Sequence, residues 1–247
     1  MADGNTKPKS PFELTRGIES RYAMRLRALA AKIGQVVTGY SDPLNDPEQR
    51  WRIVQTLNAY SDAITPWARA LSKTVVKAVD WENRHAFAAH SEHMSRILRR
   101  QLETAPTGEM MRFMQAEQVQ LIRSLPTEAA ERVVKIAQEH MLTGKRAEYF
   151  AKEIARTGEV TKSRATLIAR TETSRTSSNL TQARAIYAGS VDYVFETSRD
   201  RDVRPSHRRM QGQIVEWAKP PTLDGLRGHA GCFPNCRCHP APRFPRF

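Results

Sequence analysis

Between Pro11 and about Tyr187 the apolar residues recur at spacings of three and four, and Gly and Pro are confined to a few interruptions. This periodicity predicts helices rather than strands. Phe12, Ile18, Tyr22, Leu26, Leu29 and Ile33 share one helical stripe that the pattern closes near Gly34. Turn residues at 41–47 precede a helix over 48–64, and a stretch from 67 to about 102 without Pro or Gly predicts a long helix behind Pro66, with room for breaks. Residues 105–108 end it. Two amphipathic segments, 109–124 and 127–141, are separated by Leu125-Pro126 and read as a helical hairpin closed at Thr143-Gly144. A short helix over 146–156 ending at Gly158 and a long one over 162–187 complete this part.

The 162–187 helix is apolar at its ends and polar in its middle, where residues 170–179 read RTETSRTSSN. Ser, Thr and Asn are poor helix formers in an interior, so a neighbouring element must satisfy them. A polar network, a solvated face, and a phosphate contact through Arg170 and Arg175 all fit the pattern, with Glu172 fixing an arginine rather than catalysing. After Gly189 the pattern changes to VDYVFET over 191–197, rich in β-branched and aromatic residues, which predicts a strand. A second short strand at 213–215 can pair with it as a hairpin. Beyond that, Gly and Pro predict loops to the end of the chain. The expected fold is therefore mainly α with a small α+β C-terminal module, in which long helices lead into a short β-hairpin and a stapled loop. The expected organisation is a flexible tail over 1–10, a helical region over 11–125, the module over 126–242 and a short tail over 243–247.

Charge changes the picture. The formal net charge is +13 over 247 residues, with 39 Lys and Arg against 26 Asp and Glu. Such a field favours polyanions or acidic protein surfaces. Arginines including Arg170, Arg175, Arg208 and Arg209 are spread through the chain, so a solvated basic surface and a sequence-independent nucleic-acid contact both remain open. No apolar run has the ~18 residues that a membrane span needs. The first ten residues resemble no secretory signal, and a reducing cytoplasm is the default compartment.

In that compartment the three cysteines suggest metal rather than disulfides. Cys232, Cys236 and Cys238 fall in one loop, and His207 can complete a Cys3His zinc site, in which three thiolates would leave a net charge of about −1. Arg237 and Arg243 lie near enough in sequence to offset it. His229 competes with His207 as fourth ligand. A metal-free cluster, or a Cys232–Cys236 bridge formed on oxidation, is the alternative. Asp200 and Asp202 beside His207 also suggest a metal-dependent nuclease, with the histidine as general base. Against that, the Gly- and Pro-rich continuation offers no helix to carry further ligands, and Asp200 and Asp202 among Arg199, Arg201 and Arg204 read more simply as a salt-bridged turn.

Ile168-Ala169-Arg170-Thr171-Glu172, then Tyr187 and Gly189, the strand with Tyr193, Asp200 with Val203-Arg204 and His207, Gly212, and Asn235-Cys236-Arg237-Cys238 with Pro240 together resemble the phage Mu F-like head morphogenesis family. The likeness covers about residues 127–242. Many members carry a Cys-Pro-x-Cys pair where this chain has Arg204-Pro205-Ser206-His207, and a His where it has Cys232, so thiol and imidazole are interchanged at two positions. The resemblance implies a non-enzymatic minor head protein of a tailed phage or prophage. Such a protein acts in head morphogenesis in the virion near the portal vertex, docks on portal, scaffold or major capsid protein, and contacts DNA non-specifically, with no membrane role.

Overall fold

The computed structural model describes residues 11–89, 96–143 and 146–244, with side chains described from residue 13 and not at 87–89. The expectations for the 1–10 tail, Phe12, residues 90–95, Gly144 and residues 245–247 lie outside this description. Among the described residues, eight helices and five short strands are ordered α1 (Pro11–Thr38), α2 (Pro47–Ala63), α3 (Thr65–Ala89), α4 (Arg96–Thr104), α5 (Gly108–Thr143), α6 (Ala147–Ala155), α7 (Thr157–Tyr187), β1 (Asp192–Glu196), α8 (Pro205–Arg209), β2 (Ile214–Glu216), β3 (Thr222–Leu223), β4 (Leu226–Arg227) and β5 (His239–Pro242). The mainly α fold with a small α+β end is the one the pattern predicts. No helix among the described residues is long and apolar enough to cross a membrane.

The chain forms two compact units. One comprises residues 21–73 and 115–169, the other residues 1–20, 74–114 and 170–247. In the first, the predicted α1 stripe of Tyr22, Leu26, Leu29 and Ile33 is buried, and α2 opens on Asp46, whose side chain accepts from the backbone N–H groups of Glu48 and Gln49. Three expectations about this unit are corrected.

Gly34 does not end α1. A Cβ on Gly34 would lie 3.0 Å from Gly158 Cα, and one on Gly158 would lie 3.0 Å from Gly34 Cα. Both glycines sit inside helices, and their missing side chains let two backbones touch; α7 starts at Thr157, ahead of Gly158, rather than near 162. The predicted helical hairpin is one helix, since α5 runs through Pro126. Proline removes a backbone donor and crowds the preceding turn. Hydroxyls serve the carbonyls around it: Ser124 Oγ donates to Leu121 O (3.1 Å), Thr127 Oγ1 to Ser124 O (3.0 Å) and Ser61 Oγ of α2 to Arg123 O (2.9 Å). Ile122, Leu125, Ala129 and Val133 stay buried across the proline, so burial of a continuous face outweighs the local break.

The second unit contains the sheet. β1 is central and pairs antiparallel with β2 (Tyr193↔Val215) on one side and β5 (Phe195↔Pro240) on the other, while β3 and β4 form a separate hairpin. The Gly- and Pro-rich end, expected as loop, thus supplies three of the strands. Pro240 and Pro242 are tolerated because β5 is an edge strand, which needs fewer backbone donors. Alternation along β1 turns Tyr193 and Phe195 inward, where they join Val215, Trp217, Leu223, Phe233, Cys236 and Cys238 in one core cluster.

The polar middle of α7 is buried in this unit. Thr173, Thr176, Ser177, Ser178 and Thr181 are all nearly inaccessible. Their partners come from two directions. Asn83 of α3 donates to Ser177 O (3.2 Å) and Thr181 Oγ1 (2.8 Å), and Ser178 Oγ donates to Ala230 O (2.5 Å). Further along the helix, Arg184 is buried and donates to Asn83 Oδ1 and Asp80 Oδ1, while Arg84 donates to Asp80 Oδ2 (2.5 Å). Burial raises the Asp80 carboxyl, but hydrogen bonds from Arg84 and Arg184 outweigh it and hold the group below its ordinary value. Burial also works against the Arg184 charge, which Asp80 sustains; a guanidinium stays protonated even so.

Candidate metal centre

Three segments meet at the end of the sheet. Pro205 starts the five-residue helix α8 after Arg204, and the helix turns His207 inward while Arg208 and Arg209 stay exposed. Cys236 and Cys238 precede β5, whose pairing with β1 fixes their position, and Arg237 between them faces the other way. The loop before them presses on α7 at Gly231, which has φ +86; a Cβ there would lie 2.9 Å from Cys238 O and 3.2 Å from Ser178 Cβ. Phe233 packs edge-on against the His207 ring with centroids 4.8 Å apart, and Phe195 does so at 6.2 Å.

His207 Nδ1 lies 3.4 Å from Cys236 Sγ and 3.5 Å from Cys238 Sγ, and the three ligand atoms fall within 4.8 Å of one another. For tetrahedral zinc with Zn–N of about 2.0 Å and Zn–S of about 2.3 Å, the N···S edge is about 3.5 Å. The donor set therefore has both the chemistry and the spacing to hold such an ion. The thiols are unequal. Cys238 donates to Cys236 and pushes that thiol down to about 4, against the opposing effect of burial and with help from His207; the same hydrogen bond pushes Cys238 up. One thiolate is thus favoured before any cation arrives, which is the form that ligates. A cavity of about 140 Å³ lined by Arg170, Arg204, Asn235 and Arg237 adjoins all three residues.

The other predicted residues fall in different places. Cys232 does not join the group; its Sγ sits 3.5 Å from Asn179 Oδ1 and 3.7 Å from Ser178 Oγ, and burial raises its pKa. His229, the competing ligand, lies with its Nδ1 3.2 Å from Tyr193 Oη and packs on Trp217, and burial lowers its pKa. With two thiolates instead of three, a zinc ion would leave no net charge, so the expected offset by Arg237 and Arg243 is not needed. Those arginines hold carboxylates instead. Arg237 pairs with Asp200 (3.0 Å) and Asp202 (3.3 Å), and Arg243 with Asp192 (3.6 Å). Arg204 pairs with Asp224 (3.5 Å), Arg175 with Glu172 (3.0 Å), and Arg170 with Glu19 (3.2 Å) and Asn235 Oδ1 (2.8 Å). Arg208 reaches Val203 O (3.1 Å).

Sequence reasoning missed Asp224, 3.7 Å from His207 Nε2, and the buried Asp80–Asn83–Arg184 group. The first had a readable signal, the Asp-Gly turn between Leu223 and Leu226, which is a hairpin signature. The second had none, because its members lie some hundred residues apart.

Residues 131–241 match the family described as Phage Mu protein F like protein. The match takes in α6, α7, the central strand and all three residues of the His/Cys group. An uncharacterized protein of Haemophilus influenzae strain Rd is 34% identical over 134 residues, which cover 54% of this chain and 29% of that relative. The chain thus spans less than a third of the length of the curated relative it matches. No solved structure matches significantly. Over residues 131–241 the chain is therefore similar to the phage Mu F-like proteins.

Proposed function

We propose that the chain is a non-enzymatic minor head protein of a tailed phage or prophage. It acts in head morphogenesis near the portal vertex, with its C-terminal module stapled by a zinc ion on His207, Cys236 and Cys238. The observation that carries this reading is the burial of the His/Cys group: each member is at most 4% exposed and lies within or against the aromatic core of the family-matched segment. Bound there, zinc would supply cross-linking of α8 to the β5 loop, and its binding free energy would add to folding. The neighbouring aspartates of the nuclease alternative are engaged by Arg237. A net charge of +13 favours contact with packaged DNA through phosphates, for which the exposed Arg208 and Arg209 are the available predicted residues.

The test is co-purification of the full chain with the portal protein encoded in the same genome, together with zinc analysis. Capture of the portal protein with one zinc per chain supports the proposal. Divalent-dependent DNA cleavage that is lost in His207→Ala with the fold retained overturns it.

A further inference from the structure

We propose that Asp224 is a positioning residue for His207, holding the imidazole in the tautomer whose Nδ1 lone pair faces the two thiols. The inference rests on the metal reading above and extends it to a residue outside the ligand set.

His207 presents Nδ1 to Cys236 and Cys238 at 3.4 and 3.5 Å. A ring that ligates through Nδ1 carries its proton on Nε2, and that N–H requires an acceptor. Here Nε2 is buried and makes no hydrogen bond. The charged group facing it is the Asp224 carboxylate, with Oδ2 at 3.7 Å, just beyond hydrogen-bond length. Two features hold the carboxylate in place. Arg204 Nη1 lies 3.5 Å from the same Oδ2, and the guanidinium is itself anchored by donating to Pro234 O (2.8 Å). Asp224 also occupies the first turn position of the β3–β4 hairpin with φ +53, followed by Gly225 at φ +77, so the turn directs where its side chain starts. The chain Arg204–Asp224–His207–thiols has the order of a carboxylate–histidine–metal triad, in which the carboxylate fixes the ring's tautomer and orientation. It also gives Arg204 a role at the site.

The experiment uses the full chain and two substitutions compatible with a positive φ. Asp224→Gly removes the acceptor; Asp224→Asn keeps a neutral one. Zinc affinity is measured by competition with a chromogenic chelator, and the His207 tautomer is read from imidazole ¹⁵N shifts in metal-free protein. Asp224→Gly is expected to weaken zinc binding about 10- to 100-fold, with a smaller loss for Asp224→Asn. The metal-free wild type is expected to show the proton on Nε2 and the Gly variant a shift toward Nδ1–H. Zinc affinity of Asp224→Gly within twofold of wild type and an unchanged tautomer would overturn the proposal, as would a wild-type ring protonated on Nδ1. A wild-type chain that binds no zinc defeats the metal reading instead, and the tautomer measurement still decides what Asp224 does.

Discussion

Removing the Arg184 guanidinium is the sharpest probe of the buried α7 network. Asp80 and Arg184 are each at most 2% exposed, and Arg184 also serves Asn83 Oδ1. Arg184→Met fills similar volume but leaves the Asp80 carboxylate with Arg84, whose side chain is 51% exposed, and a long hydrogen bond from Thr107 Oγ1 (3.4 Å). Breaking a buried pair by deleting one partner costs about 3–5 kcal/mol, because the other charge stays desolvated. For a chain of this size that corresponds to a melting shift of roughly 6–20 °C. Replacing both partners, as in Asp80→Leu with Arg184→Met, removes the stranded charge and should recover most of the loss. The pH dependence has a definite sign. The folded-state carboxyl of Asp80 is held below its ordinary value, so its contribution is fully present above about pH 4 and is lost as pH falls through the lowered folded value. Urea titration followed by circular dichroism at pH 7 and at pH 3 measures both effects. A loss below about 1 kcal/mol for Arg184→Met, or a double variant no better than the single one, would refute the claim that the pair is desolvated and mutually dependent.

Cys236→Ser and Cys238→Ser should each abolish stoichiometric zinc and remove the chelator-sensitive part of thermal stability, whereas Cys232→Ser should keep full zinc by elemental analysis. Gly158→Ala tests the sign of a helix substitution: in an open helix it would stabilise by about 0.5–1 kcal/mol. Here the new Cβ meets Gly34 backbone at 3.0 Å, so a net loss of about 1–3 kcal/mol is expected by thermal melting. Gly108→Ala, whose Cβ would meet only the Arg112 side chain at 3.6 Å, is the control that should not destabilise. Replacing Arg208 and Arg209 together by Ala should reduce the salt slope of non-specific DNA binding by about 2, measured by fluorescence anisotropy at several salt concentrations; an unchanged slope removes these residues from the DNA contact.

The helical pattern determined most of the described residues between 11 and 187 on its own. Apolar positions three and four apart can be buried together only on a helix, so α2, α6 and the α1 stripe follow from local spacing, as does β1 from its alternation. The polar run in α7 announced its need for partners because those residue types do not sit comfortably in a helix interior. The cysteine spacing and His207 pointed to a candidate metal group, of which the structure gathers His207, Cys236 and Cys238. Tertiary structure decided what depends on residues distant in the chain. It carried α5 through Pro126 by burying one face on both sides of the proline. It brought Gly34 against Gly158, and it joined Asp80 to Arg184 across 104 positions. It also separated Cys232 from its two neighbours in sequence: β1 fixes Cys238 through the pairing of β5, while the turn at Gly231 places Cys232 against Ser178 and Asn179 of α7. Spacing along a loop records which thiols are near in the chain, but the direction each one faces is set by the sheet and helix that the loop joins.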